Sequence, residues 1–145
     1  MATTIVNATL TTVITETVTI NGKNQGSTNT LTVANINEVD SRILTIPTSE
    51  VGVVTFGAAA GAGTFVRANV QYLRITNKDD TNFISLHITS ATDDAWFKID
   101  AGKSFIVNNG NIESAGTFSA WALITAITAI ADTAAVDVDY FIALT

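Results

Sequence analysis

Residues 70–88 read VQYLRITNKDDTNFISLHI, and the alternation within this stretch decides the predicted fold. Apolar and polar side chains alternate on both sides of the polar segment NKDDTN, and this period of two is typical of half-buried β-strands. Folding the stretch back on itself places Ile75 opposite Ile84 and Leu73 opposite Leu86. One register thus gathers the large apolar side chains on a single face, which is how strand pairing is normally specified. We predict an antiparallel hairpin here.

The opposite face of this predicted hairpin, continued by the strand at 95–99, carries the candidate binding residues. They are Tyr72, Arg74, Phe83, His87, Trp96 and Lys98. Aromatic residues and Arg are the types most enriched at the energetic centres of protein interfaces. We interpret this face as a candidate interaction surface. Two alternatives stay open: another strand or loop of the same domain covers it, or its rings line a carbohydrate groove.

The rest of the chain alternates in the same way. Residues 136–144 present large apolar side chains at every second position, which predicts a central, well-packed strand. Residues 125–135 are ambiguous, because the preceding Ile124 and then Ile127 and Ile130 are spaced as on a helix face while the Ile and Thr content disfavours a helix. Eight to ten short strands separated by turn signals predict an all-β fold, an antiparallel β-sandwich with jelly-roll-like topology.

The N-terminal stretch is rich in Thr but alternates loosely. Residues 2–12 have β propensity without a settled buried face, which is typical of an extended arm that orders by joining a neighbour's sheet edge. We therefore expect an N-terminal arm with the first strand at 1–20, followed by a single β-sandwich domain at 21–145.

Composition restricts the partners. Charged residues make up 14% of the chain, against about 25% in typical soluble domains, so we expect other chains to cover much of the surface. The net charge of −6 and the pI near 4.4 argue against nucleic-acid binding, which requires a basic footprint. The longest apolar stretch is well short of the roughly 20 residues that a membrane helix needs. We expect neither nucleic acid nor membrane as a partner.

The sequence offers little for catalysis. His87 is the only histidine, and Ser85 lies two positions away on the same strand, about 7 Å distant and too far for a nucleophile–base hydrogen bond. The acidic pair Asp79 and Asp80 offers oxygens for calcium, but such residues in a tight loop usually serve turn geometry. We predict no catalytic, metal-binding or cofactor-binding residue, and no enzymatic activity.

Three motifs carry a resemblance to a known class of protein. Residues 72–77 (YLRITN), 79–84 (DDTNFI) and 96–105 (WFKIDAGKSF) resemble a pattern in small β-rich virion structural proteins of tailed bacteriophages. The similarity covers about half the chain, from residue 31 to residue 108.

The resemblance implies a capsid decoration, or cement, protein that binds the outer surface of a phage head and stabilises the shell. The implied partners are the major capsid protein and further copies of this chain, as a homotrimer. The implied location is the virion capsid surface, after synthesis in the host cytoplasm. The alternatives are a phage tail or fibre component and a carbohydrate-binding β-sandwich module.

Overall fold

The computed structural model describes residues 4–61, 63–91, 93–108 and 124–145. An Asn-Gly turn predicted at 109–110 and most of a strand predicted at 118–124 lie outside these residues. The described part is all-β, as predicted, with one short 3-10 turn at Arg67–Asn69. Its strands are β1 (Ala8–Thr15), β2 (Thr19–Ile20), β3 (Lys23–Asn24), β4 (Thr28–Ile36), β5 (Glu38–Ile46), β6 (Val51–Gly57), β7 (Thr64–Val66), β8 (Val70–Asn77), β9 (Ile84–Ser90), β10 (Asp94–Ile99), β11 (Ser104–Val107), β12 (Ile124–Ala131) and β13 (Val136–Leu144).

Two sheets enclose the main core. One sheet has the strand order β11-β8-β13-β5, and the other has the order β10-β9-β12-β6-β7, in which β7 pairs in parallel with β6. Between them lies one cluster of buried side chains, including Ile75, Leu86, Ile127 and Ile142, each fully inaccessible. The predicted β-sandwich is confirmed. The chain from β5 onward crosses repeatedly between the sheets, and its jelly-roll-like topology stays a prediction.

The predicted hairpin between β8 and β9 is wrong. β8 pairs with β11 and β13 in the four-stranded sheet, whereas β9 pairs with β10 and β12 in the five-stranded sheet. Loop 78–83 therefore joins the two sheets as an arch. The predicted apolar face is correct, because Leu73, Ile75, Ile84 and Leu86 are all fully buried, but they meet across the sandwich core and are not neighbours within one sheet.

The two C-terminal strands form the centres of their sheets. β13 lies between β5 and β8, as predicted, with its alternate apolar side chains almost completely buried. β12 is a strand and lies in the middle of the five-stranded sheet. Its helix-like spacing arises from a register shift between Ile124 and Ala126, which brings both Ile124 and Ile127 to the core and leaves Ile130 on the other side.

Residues 8–36 form one long β-hairpin, here called the hairpin arm. β1 pairs with β4, β2 pairs with β3, and backbone hydrogen bonds such as Glu16 N–H to Ser27 C=O continue the ladder between them. At the tip, Asn21 and Gly22 have φ of 51° and 78°, as a two-residue hairpin turn with left-handed residues requires. The arm thus pairs with itself. The domain boundary predicted at residue 20 lies next to this turn and stays a prediction.

The base of the hairpin arm packs on the outer face of the four-stranded sheet. Leu10, Leu31, Val33 and Ile36 of the arm contact a second apolar cluster on β8 and β13 formed by Tyr72, Phe141 and Ala143. Tyr72 and Phe141 meet edge to face, with ring centroids 5.9 Å apart. This contact makes the base of the arm a third layer of the domain.

Candidate functional site

The six predicted surface residues do not share a face. Tyr72 and Arg74 belong to β8 and lie on the outer side of the four-stranded sheet. His87, Trp96 and Lys98 lie on the outer side of the five-stranded sheet, and Phe83 adjoins them at its edge. The prediction of one common surface is therefore wrong, since it depended on pairing β8 with β9.

On the four-stranded sheet, neither Tyr72 nor Arg74 is free to anchor a partner. The hairpin arm covers Tyr72, which is 4% exposed, in agreement with the alternative that another part of the domain covers it. Arg74 donates to Asp139 at 3.0 Å, and both side chains are half-buried. These contacts are structural, because the Tyr72 ring packs under the arm and the Arg74 guanidinium is paired within the sheet.

His87 forms the centre of a polar cluster on the five-stranded sheet. Its Nδ1 lies 2.8 Å from Oε1 of Glu50 and its Nε2 lies 3.1 Å from Oδ2 of Asp94. Trp96 on β10 stacks on the imidazole with ring centroids 3.9 Å apart and planes 10° apart. From β12, Thr128 donates its hydroxyl to the same Glu50 oxygen. The cross-strand neighbours of His87 are thus Trp96 and Thr128, whereas Tyr72, which the register of the predicted hairpin places opposite His87, lies in the other sheet.

This arrangement favours the protonated form of the histidine. Carboxylates only accept hydrogen bonds, so both ring nitrogens donate when His87 is an imidazolium. The hydrogen bond with Glu50 is the main cause that raises the pKa of His87, and Asp94 adds to it against partial desolvation. Hydrogen bonds from Thr128 and then His87 lower the pKa of Glu50. The cluster is a charge-paired surface feature, and Glu50 is the member that the sequence did not reveal.

The remaining two predicted residues contact one another. The Lys98 ammonium lies 4.4 Å from the ring centroid of Phe83, a cation–π contact, and 2.7 Å from Oδ1 of Asp100. Next to this pair, the Trp96 indole is 52% exposed even though His87 covers one of its faces. Phe83, His87, Trp96 and Lys98 therefore make one aromatic and charged patch, here called the Trp96 patch.

The described contacts do not assemble a nucleophile with a general base. Both His87 nitrogens face carboxylates, and the nearby Thr128 hydroxyl is directed to Glu50. Within the described ranges, no group of three or more acidic or His side chains is arranged to hold a metal ion. The patch is equipped for recognition by stacking and hydrogen bonding.

The acidic loop at 78–83 has the turn geometry expected of such residues. Oδ1 of Asp79 accepts the backbone N–H groups of Thr81 and Asn82, each at 2.7 Å. These hydrogen bonds lower the pKa of Asp79, with the N–H of Asn82 as the larger cause. The carboxylate is therefore used to fold the loop.

Among the residues that the structure describes, the longest exposed stretch is the distal half of the hairpin arm, residues 15–30. Apart from the half-buried Gly26, every residue in this range is exposed, so both faces of the ribbon are in solvent. Val18 and Ile20 are 46% and 57% exposed. The sequence predicted an N-terminal arm with β propensity, but the strand predicted after residue 30 was assigned to the sandwich, whereas β4 pairs with β1 and belongs to the arm.

Comparisons with known proteins give no further identification: no protein-family model matches the chain, and neither do curated proteins or solved structures. In the described ranges, no helix has the length and apolar character that crossing a membrane requires.

Proposed function

We propose that this chain is a non-enzymatic structural protein of a tailed-phage particle, a decoration protein that binds the outer surface of the capsid and stabilises the shell. The observation that carries the proposal is the hairpin arm, whose distal half projects from a well-packed sandwich. An isolated two-stranded ribbon is at best marginally stable in water, so this segment is suited to gain its stability from a partner surface.

The chemistry of the arm fits a protein partner. Between residues 8 and 36, Glu16 and Lys23 are the only charged side chains, and exposed Val18 and Ile20 lie near the tip. Unpaired edges of an extended ribbon can add strands to another sheet, with main-chain hydrogen bonds supplying affinity. A protein that binds only the assembled shell stabilises that shell by mass action. The sequence resemblance to phage virion proteins supports the same assignment, with the major capsid protein as the partner.

The arm can be tested without disturbing the sandwich, because Gly26 belongs to the arm and its position leaves no room for a Cβ atom. A Cβ on Gly26 would lie 1.9 Å from the carbonyl oxygen of Glu16 on the opposite strand, whereas a Cβ on Gly52 would meet nothing within 4 Å. Gly26→Ala therefore disrupts the ribbon, and Gly52→Ala is the matched control.

The experiment is co-sedimentation of the purified protein with phage heads that lack it. We expect saturable binding by the natural chain and by Gly52→Ala, and binding at least about tenfold weaker for Gly26→Ala. A natural chain that never sediments with heads would contradict the proposal. Equal binding by Gly26→Ala would place the docking surface elsewhere. A copy number near that of the major capsid protein distinguishes decoration from a tail or fibre component, which is present in a few copies.

The Trp96 patch favours a second candidate function, carbohydrate binding. An exposed indole beside the carboxylates of Glu50 and Asp94 combines a stacking platform with hydrogen-bond acceptors. Under this alternative, glycan-array binding is present in the natural chain and lost in Trp96→Ala. Absence of binding to any glycan by the natural chain removes the candidate.

A further inference from the structure

At the rim of the sandwich, the structure leaves one full edge of β5 unpaired. β5 has nine residues and pairs on one side with β13, and within the described part of the chain no strand pairs with its other side. Most of its residues are exposed, and Ile43 and Val39 are among the most exposed large apolar side chains, at 70% and 52%. Natural sheets usually protect such an edge with Pro, Lys, a bulge or inward-pointing charges. The β5 sequence EVDSRILTI has neither Pro nor Lys, and its two inward-pointing charges, Asp40 and Arg42, are opposite in sign.

The side chains of β5 divide cleanly between its two faces. Ile43 and Val39 stand opposite Asp139 and Ala143 of β13, on the outer face of the sheet. Asp40 and Arg42 stand on the inner face, at the open side of the sandwich. Their own ion pair is long, 3.8 Å between Nε and Oδ2, and the Arg42 side chain is 61% exposed.

The sequence of this edge is complementary to itself. In an antiparallel pairing centred on Ser41, Val39 of each copy stands opposite Ile43 of the other, and Asp40 opposite Arg42. Both exposed apolar residues are then covered and both charges are matched, and opposite charges and β-branched pairs across strands are stabilising. Centres one residue away leave Ile43 opposite Asn37 or Ser41, so charge and apolar matching together select one register.

We infer that the free edge of β5 is a self-association site, at which a second copy of this chain pairs antiparallel about a two-fold axis at Ser41. The contact joins two four-stranded sheets into one continuous sheet of eight strands. It is an isologous interface, in which the same residues serve on both sides. The inference goes beyond the proposed function, since it concerns the free protein and does not involve the hairpin arm. It predicts a dimer, whereas the phage resemblance implies a trimer.

Val39 and Ile43 are the positions at which to test the contact. Asp40 is less suitable, because it accepts a hydrogen bond from the buried Tyr140 hydroxyl and its replacement would disturb the core. Ile43→Lys places a charge opposite Val39 in both halves of the dimer, and Val39→Glu does the same opposite Ile43. In a mixture of the two variants, one half of the contact pairs the new lysine with the new glutamate and the other keeps Val39 opposite Ile43.

The experiment measures mass by sedimentation velocity and light scattering over a concentration series, with circular dichroism to verify that each variant keeps its β-structure. We expect a dimer for the natural chain, dissociation constants at least about tenfold higher for each single variant, and recovery of the dimer in their equimolar mixture. Ile20→Lys, the same kind of change at the arm tip, is the control and keeps the dimer. A monomeric or trimeric natural chain, folded single variants that dimerise normally, or a mixture that stays monomeric would overturn the inference.

Discussion

Asn77 joins three parts of the molecule through one buried amide. It is fully inaccessible, at the end of β8, and its Nδ2 donates to the carbonyl oxygens of Asn82 at 2.9 Å and Ile99 at 3.1 Å. Its Oδ1 accepts the backbone N–H of Asp79 at 2.9 Å. The amide therefore fixes the arch between the sheets and ties it to the end of β10, as buried polar groups normally find hydrogen-bond partners.

Replacing this amide should be costly. Asn77→Ala leaves buried polar groups without partners, and we expect it to lower the free energy of unfolding by about 2 kcal/mol or more. Chemical denaturation measures the loss. The control is Asn29→Ala, at an exposed site where the amide donates to the Ser27 hydroxyl, with an expected change of about 0.5 kcal/mol or less. A loss for Asn77→Ala no larger than that of the control would contradict the structural role.

The His87 cluster predicts a specific dependence of stability on pH. The folded protein raises the pKa of His87, so its contribution is fully present below about pH 6.5 and is lost as the pH rises through the raised value. The lowered pKa of Glu50 acts in a separate range, where its contribution is lost as the pH falls below about 4.5. Lys98, engaged with Asp100, is the other charged side chain of the patch.

We therefore expect the melting temperature of the natural chain to fall, relative to that of His87→Gln, which cannot be protonated, as the pH rises from about 6.5 through the raised pKa of His87. Differential scanning calorimetry of both proteins in matched buffers measures the difference. Parallel melting curves across this range would show that the two carboxylates do not stabilise a charged His87.

At the scale of the elements, alternation predicted which side of a strand is buried but not which strand lies beside it. β8 and β9 have the same period of two whether they pair in one sheet or face each other across a core, so residues 70–88 fit both arrangements. Because the chain forms an arch at 78–83 and not a hairpin, Tyr72 and Arg74 lie on a different sheet from the other predicted surface residues. Glu50, just before β6, is so far from His87 in the sequence that local sequence patterns do not connect the two residues.

The hairpin arm offers the clearest test at this scale. Because a Cβ on Gly26 overlaps the backbone of Glu16, we expect Gly26→Ala to open the distal ribbon. Amide hydrogen exchange at residues 15–30 should become about tenfold faster or more, while β8 and β13 keep their protection. Unchanged exchange in the arm, or loss of protection throughout the sandwich, would show that the arm is not an independent unit.

At the scale of the whole molecule, the arm and the sandwich have separate cores. The buried cluster between the sheets has Ile46 as its first member along the chain, whereas the cluster under the arm consists of Ile36, Tyr72 and Ala143 with four partly buried neighbours. Stability of the sandwich therefore depends on residues that follow the arm.

Deletion of residues 2–12 should separate these two contributions. It removes Leu10 and most of β1, so we expect the loss of cover over Tyr72 to cost about 1–3 kcal/mol of stability. Unfolding should stay cooperative, and binding to phage heads should weaken. Calorimetry and co-sedimentation measure the two effects. A truncated chain without a cooperative transition would show that the arm is part of the folding unit.

The central position of β13 has a kinetic consequence. Leu144 pairs with Glu38, more than a hundred residues earlier, and β13 separates β5 from β8 throughout the four-stranded sheet. On a translating ribosome, β5 and β8 emerge before β13. The edges that β13 will pair with and the apolar faces of these strands therefore stay exposed until synthesis reaches residue 144. Pairings over such separations form slowly, because the loop entropy is lost before the contacts are gained. The nascent chain therefore passes through a period of exposed strand edges, in which chaperone binding competes with aggregation.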